Sequence, residues 1–446
     1  MITFNPSLQG SISLSSDDLI IAKNLFIRGP GANLLSITGG HNSHQVHVVA
    51  GVSVIISDLT IASFDSSGIK NFGNLTLINS AVSHNKTDGD GGGIENFATG
   101  TLTLMNSIVS DNFAESDDPT FIANSVFEDG GGIYNHGRLA LINSIVSGNT
   151  AAKYGGGIVN GRGTATATIT NSTILDNAAC QAGGGIYNGA HDGMVTLTLS
   201  NSTVSYNTVG FCLQATSIPA KDTAPGGGIY NTSLATRLTI TNSTISDNTT
   251  FNGPGGGIYN QGPLTLTNST VSGNKSSFVG GGIAISNGQA NLTFCTIYGN
   301  LAIRSGGGIT ISMSRGTTPT FLEMSNSIVA GNHAGTGLDI SGTLTSDGYN
   351  LIQDTSGATF TPNKQHHTDV SAGLHIDLGI DPILRDNGGS TEPHTLTLAL
   401  LPGSPAINAI PLAACHPNGI TTDQRGIKRP EDNEHFCDIG AYESSP

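Results

Sequence analysis

An all-β parallel β-helix is the fold this sequence predicts, and three observations predict it. A Gly-Gly-Gly-Ile motif recurs along the chain, strand-like alternation follows each copy, and asparagines return at fixed places in each unit. The motif occurs at Gly91–Ile94, Gly130–Ile133, Gly155–Ile158, Gly183–Ile186, Gly226–Ile229, Gly255–Ile258, Gly280–Ile283 and Gly306–Ile309. The shortest spacings are about 25 residues, and the longer ones read as that unit with insertions. A full unit is Gly-Gly-Gly-Ile-Tyr-Asn, a turn, then Leu-Thr-Leu-Thr-Asn-Ser-Thr-Val-Ser-Gly-Asn and a loop, cleanest over residues 255–274.

Within that unit Leu264 and Leu266 alternate with Thr265 and Thr267, the period of a strand. Val271 resumes the apolar side after a bend at Asn268-Ser269. A unit this short cannot bury its own apolar face, so successive units must stack. Three short strands per unit then describe coils rising by about 4.8 Å each. Residues 10–64 follow the pattern less strictly, with pairs such as Leu25/Ile27 and Val54/Ile56, and read as the first coils. Three regions result: 1–18 as a cap over the open edge, 19–340 as repeats, and 341–446 as an irregular region closing the other end.

Stacking accounts for the unusual residues. Asn71, Asn96, Asn135, Asn160, Asn188, Asn231 and Asn260 each follow a repeat Ile by two positions and share its inward face. A column of amides can hydrogen-bond from rung to rung, which satisfies groups that are costly to bury alone. The column gives way to Ile285 and Ile311. A second column, from Asn85 and Asn112 to Asn300 and Asn332, lies at the bend after the third strand. The glycines form a corner column that needs positive φ or close backbone approach. They are not phosphate loops, because no Lys-Ser/Thr pair and no helix follows.

Composition excludes several classes. Only 11% of the 446 residues are charged, yet the net charge is −15, with 17 Lys+Arg against 32 Asp+Glu, so no basic stripe for nucleic acid exists. Ser, Thr, Asn and 61 Gly supply the solubility. No apolar run reaches the roughly 18 residues of a membrane span. Met1-Ile-Thr-Phe-Asn-Pro6 lacks the basic and apolar regions of a secretory signal.

The Gly-Gly-Gly-Ile-Tyr-Asn and Asn-Ser-Thr-Val-Ser-Gly-Asn motifs resemble those of bacterial right-handed parallel β-helix repeat proteins, including the repeats of polymorphic outer membrane proteins. Residues Gly348–Ile352, Asp386–Gly389, Leu401–Ile407, Thr422–Gly426, Arg429-Pro430 and Cys437–Glu443 are similar to the choice-of-anchor Q region of exported bacterial proteins. The resemblance spans nearly the whole chain. It implies a right-handed parallel β-helix solenoid of about 12 coils and an extracellular or cell-surface location, and it carries no agreed activity.

A polysaccharide lyase or glycoside hydrolase of the pectate-lyase-like type needs clustered carboxylates, with a basic residue for the lyase. The outward residues beside the repeat Ile are Lys70, Glu95, Tyr134, Val159, Tyr187, Tyr230, Tyr259, Ala284 and Thr310, with no acid pair and no Arg. No catalytic residue is assigned on this column, and the expectation leans away from an enzyme. Acidic residues gather at Glu115, Asp117, Asp118, Glu128 and Asp129, the one place where calcium is considered; otherwise no cofactor or metal is implied. His41, His44 and His47 alternate sides in a strand and make no metal site. Cys415 and Cys437 bracket the Thr422–Gly426 segment, and Cys180 and Cys212 share one loop of consecutive coils. Two bridges with Cys295 free, in place of the usual repeat Ser, fit an exported protein.

Insertions at 113–129 and 208–225 enlarge the same loop three coils apart, about 15 Å along the axis. Between them Tyr134, Val159, Tyr187 and Tyr230, with Asp117 and Asp118, are read as a glycan groove, since flat rings suit the apolar faces of sugars. The expected function is a non-catalytic surface protein with an adhesive, structural or glycan-binding role. A polysaccharide-acting enzyme is the alternative. A third reading is an ice- or crystal-binding face from the Thr rows Thr168/Thr170, Thr239/Thr241 and Thr265/Thr267.

Overall fold

The structure is a computed structural model that describes residues 1–15, 17–40, 45–115, 129–189, 193–210, 224–312, 320–361, 369–371, 373, 376–390, 394–431 and 435–444. The chain forms two compact units, Met1–Thr198 with Tyr206–Ala224, and Leu199–Ser205 with Pro225–Pro446. Each is a right-handed parallel β-helix. A coil holds four strands, one more than expected: Ile94–Asn96, Thr101–Met105, Ile108–Ser110 and Phe113–Ala114 form one in the first unit. Each pairs in parallel with its counterpart one coil on, namely Ile133–Asn135, Arg138–Ile142, Ile145–Ser147 and Thr150–Ala151. The second unit repeats this, Leu264–Thr267 pairing with Gln289–Thr293 and Thr270–Ser272 with Thr296–Tyr298.

The alternation places Leu102, Leu104, Leu139 and Leu141 inside, each stacked on its equivalent in the neighbouring coil. Asn106 at the bend takes φ 49°, a left-handed conformation that Asn tolerates through its short polar side chain. The Ser107 hydroxyl then donates to the Met105 carbonyl (2.9 Å) and accepts the Ser80 N–H (3.2 Å), linking bends between coils. At the glycine corner Gly130 has φ 67°, and a Cβ on Gly131 would lie 2.4 Å from the Thr150 carbonyl oxygen. Only glycine lets the coils approach that closely.

Both asparagine columns are hydrogen-bonded. In the first unit Nδ2 of Asn71, Asn96, Asn135 and Asn160 donates to Oδ1 of Asn96, Asn135, Asn160 and Asn188 in turn, at 2.7 to 2.8 Å. In the second, Asn231 donates to Asn260 (2.8 Å), and Asn260 turns to the Gly262 carbonyl (2.6 Å) before the interior becomes Ile285. The bend column runs from Asn85 to Asn207 in the first unit and from Asn248 to Asn332 in the second. There Asn332 donates to Asp339 (2.8 Å), whose carboxyl burial pushes up to about 6.

Two boundaries differ from expectation. Residues 1–18 do not lie across the open edge. Ile2–Thr3 and Gly10–Ser13 add parallel strands to it, paired with Leu25–Arg28 and Leu35–Gly40. The coil strands also persist past residue 340, through Ala358–Phe360 and Val370–Ser371. Described residues of the C-terminal region beyond 376 lie along the flank of the second unit. Leu378, Ile380, Leu398, Ile410 and Ile439 pack there against Phe294, Ile328 and Leu351 of the coils.

Candidate functional site

The tyrosine groove is not formed as expected. Tyr134 and Val159 are only 3% and 2% exposed. Tyr134 meets the edge of the His136 ring (centroids 4.2 Å), with the Arg162 guanidinium 6.0 Å from its centroid. The Tyr187 ring is stacked on Tyr154 at 4.7 Å and 25°, and Tyr230 leans on Tyr259 at 5.2 Å while its hydroxyl donates to Gln261 (2.9 Å). The rings spend their faces on one another, which leaves sugars little flat surface. Asp117 and Asp118 lie outside the described residues, as do Glu128, His41, His44 and Cys212.

What the outward column conceals is an acidic corner. Asp90 and Asp129, each just before a glycine triplet, are nearly buried. The Asp129 N–H donates to Asp90 (3.1 Å) and the Tyr154 N–H to Asp129 (3.2 Å), so the carboxylates fasten consecutive coils. Burial pushes Glu95 up to about 7 and Asp129 up to about 8, and holds His136 down at about 4. Lys70 sits 3.9 Å from Glu95. This corner is tied into the wall of the coil.

A concave site lies in the second unit. Its floor is the outward face of consecutive strands, where two columns stand in register: Thr239, Thr265, Asn291 and Glu323 in one, Thr241, Thr267, Thr293 and Ser325 in the other. The bend residue after each strand touches the C-terminal region. Thr395 donates to the Asn242 carbonyl (3.2 Å), Asn268 to the Thr422 carbonyl (2.8 Å) and Asn326 to the Ala414 carbonyl (3.4 Å). The strip of Thr hydroxyls therefore has a wall along one side. At its far end floor and wall enclose a cleft of about 420 Å³, lined by Asn291, Thr293, Glu323, Ser325, Asp347 and Tyr349 against Ala413, His416 and Asn418. Asp347 reaches this face through a register shift between Met324 and Ser325, a β-bulge that re-aims the strand.

The wall owes its rigidity to the residues that carried the anchor-like resemblance. Gln424 donates to Thr244 and Thr395 and accepts from Thr270, bridging wall and coil. Arg429 is fully buried; it donates to Glu443 (2.6 Å) and to the carbonyls of Asp438 and Gly440, and lies 4.3 Å over the Phe294 ring. Arg425 pairs with Asp423 (2.8 Å) and covers Tyr442. Cys415 and Cys437 form a disulfide with Cα atoms 5.7 Å apart, and Cys295 is a buried free thiol that burial pushes up to about 12. These groups build and brace the wall; they do not face the cleft.

Glu323, Asp347 and Tyr349 were missed in the sequence. The one signal was Glu323 itself, standing in a row that is otherwise Thr and Asn. Hydroxyls, amides, two carboxylates and one aromatic ring around an open cleft match the hydrogen-bonding surface of a sugar. Among the described residues no three His, Cys, Asp or Glu are placed to hold a metal ion, and no helix is long and apolar enough to cross a membrane.

No known family profile matches the chain, and no curated protein does. Two solved structures are similar in fold. A pectate lyase, Pel9A, aligns over 98% of this chain and 87% of its own, at 12% identity and a TM-score of 0.42. Tailspike protein 3 of bacteriophage CBA120 aligns over 84% of this chain at 12% identity and a TM-score of 0.47, and this chain spans 57% of its length. What the fold defines is the class: a parallel β-helix protein.

Proposed function

We propose that this protein is an extracellular or cell-surface β-helix that binds a glycan without cleaving it, through the cleft at Glu323, Asp347 and Tyr349. The observation that carries the reading is a polar, one-sided channel that ends in a cleft of sugar-sized volume, about 420 Å³. Its wall is fixed by a disulfide and a buried ion pair, so little ordering is needed on binding. Single sites of this kind bind weakly, and many copies on a surface meeting a polymer raise the affinity.

A second reading has one observation in its favour. Glu323 and Asp347 line the same cleft, and two carboxylates flanking a sugar are the equipment of a glycoside hydrolase. A polysaccharide panel scored for retention and for newly released reducing or unsaturated ends separates the two. Retention without new ends supports binding, and Tyr349→Ala should abolish it. New ends that vanish in Glu323→Gln or Asp347→Asn establish the hydrolase. A parent protein that retains no glycan overturns both.

A further inference from the structure

We infer that the cleft is the end of a longer site, and that its ligand is an uncharged polysaccharide chain lying along the Thr strip parallel to the coil axis. The inference rests on the glycan-binding reading and deepens it. Two observations carry it. The first is register: the two outward columns pair residue for residue from Thr239 and Thr241 to Glu323 and Ser325 without a slip. The strip is thus a ladder of polar, hydrogen-bonding rungs in unbroken register, with Thr265 and Asn291 exposed. From Thr239 to Glu323 in the cleft it spans three coil steps, roughly 14 Å at about 4.8 Å per step. A monosaccharide fills only the cleft, whereas a chain meets a further pair of polar side chains at every rung.

The second is the wall. Its contacts at Asn242, Asn268 and Asn326 follow the strip, so the C-terminal region flanks the whole floor and not the cleft alone. A wall of that length confines an extended ligand to one direction. The charge of the ligand follows from the lining. The described cleft residues include Glu323 and Asp347 and no Lys or Arg, in a chain of net charge −15, and the basic side chain Arg237 on the strip's first strand stands at the end away from the cleft. A polyuronate would bring its carboxylates against these and meet a like-charge penalty on approach. An uncharged, hydroxyl-rich chain meets none.

The test uses the full chain and neutral gluco-, manno- and galacto-oligosaccharides from disaccharide to decasaccharide, with polygalacturonate as the anionic probe. Affinity should rise with chain length for the neutral series that binds, and polygalacturonate should not be retained. Thr265→Trp and, separately, Thr239→Trp place a bulky ring on the floor away from the cleft. Each should weaken the longest chain roughly tenfold and leave the disaccharide within about twofold, as expected when subsites act in one linked ligand. Melting curves matching the parent show that the variants are folded, and two positions guard against one failing. Equal affinity for short and long chains, or Trp variants that bind like the parent, overturns the strip while leaving glycan binding at the cleft intact. Retention of polygalacturonate as tight as that of the neutral chain overturns the assigned ligand class. Failure to bind any glycan removes both readings.

Discussion

Replacing Asn135 by Leu tests the inner ladder where its bonds are best defined. Asn135 accepts from Asn96 (2.7 Å) and donates to Asn160 (2.8 Å), to the Thr166 carbonyl (3.1 Å) and to the Gly137 carbonyl (3.3 Å). After substitution Asn96 keeps donor bonds to the Arg138 and Gly100 carbonyls, so its loss is partial. Oδ1 of Asn160 loses its ladder donor inside a fully buried column. One orphaned buried acceptor costs about 1–3 kcal/mol, and the weakened contacts at Asn96 and Thr166 add about 1 kcal/mol. A total of about 2–4 kcal/mol is expected. For a unit of this size that lowers the melting midpoint by roughly 5–15 °C. Asn260→Leu is the matched control, because the next rung is already Ile285, so no acceptor is orphaned there and the ladder loss is confined to the Asn231 donor, which also reaches the Thr236 carbonyl (3.5 Å). It should cost about half as much. Thermal and denaturant unfolding measure both. An unchanged midpoint for Asn135→Leu, or a larger loss for Asn260→Leu, would falsify the claim that the column is held by directional amide bonds.

Arg429→Met should loosen the wall by about 3–5 kcal/mol, because it leaves the Glu443 carboxyl buried beside unpaired carbonyls; selective proteolysis of the C-terminal region reads this, and resistance equal to the parent's refutes it. Burial raises Glu95 to about 7, Asp129 to about 8 and Asp339 to about 6, so the folded state binds protons more readily than the unfolded chain. Their contribution to stability is complete below about pH 4 and is lost as the pH rises through 6 to 8. His136, held at about 4, opposes this by losing its contribution as the pH falls from about 6.5, but it is a single group against the buried acids, so the melting midpoint should fall steadily as the pH rises from about 4 to 9; a midpoint that rises over that range refutes this. Cys295 should resist thiol reagents until the protein unfolds; rapid labelling of the native state would contradict its burial. Reduction of the Cys415–Cys437 bridge, which closes a loop of 22 residues, should cost roughly 3 kcal/mol and weaken glycan retention. Mass mapping should also find Cys180 joined to Cys212.

The coils were legible because each carries its own short-range pattern. Leu102 and Leu104 declare an inward face, and Asn106-Ser107 declares the bend, within a few residues of one another. The fourth strand was not, since Phe113–Ala114 is too short to show any period. The wall was illegible for a different reason: Gln424 meets Thr270 across 154 residues, and no local periodicity records such a contact. Its trace was one anomaly. Phe294-Cys295 replaces the usual Asn-Ser where the C-terminal core docks, Phe294 keeping the left-handed φ of 53° while lying under Arg429. The covering of the tyrosines was not legible either, because outward direction does not say what will cover a ring. Tyr154, in the corner position before its glycine triplet, turns onto Tyr187 and occupies its face.

The bend ladder has a direction, and direction matters to a chain that is made from one end. Each Asn from 248 to 300 passes one Nδ2 hydrogen forward to the coil that follows it in the sequence and gives the other back to a carbonyl of the coil before it. While the chain is growing, the newest coil therefore always holds an amide whose acceptor has not yet been synthesised, and every coil behind it is already satisfied. The debt moves forward one coil at a time and never accumulates. It is discharged at Asp339, whose carboxylate takes the hydrogen bond from Asn332 and, with its other oxygen, the N–H of Asp354. An ionised carboxylate has nothing to hand on, so the relay stops there, and the number of coils before that stop can change by whole coils without leaving an amide unanswered.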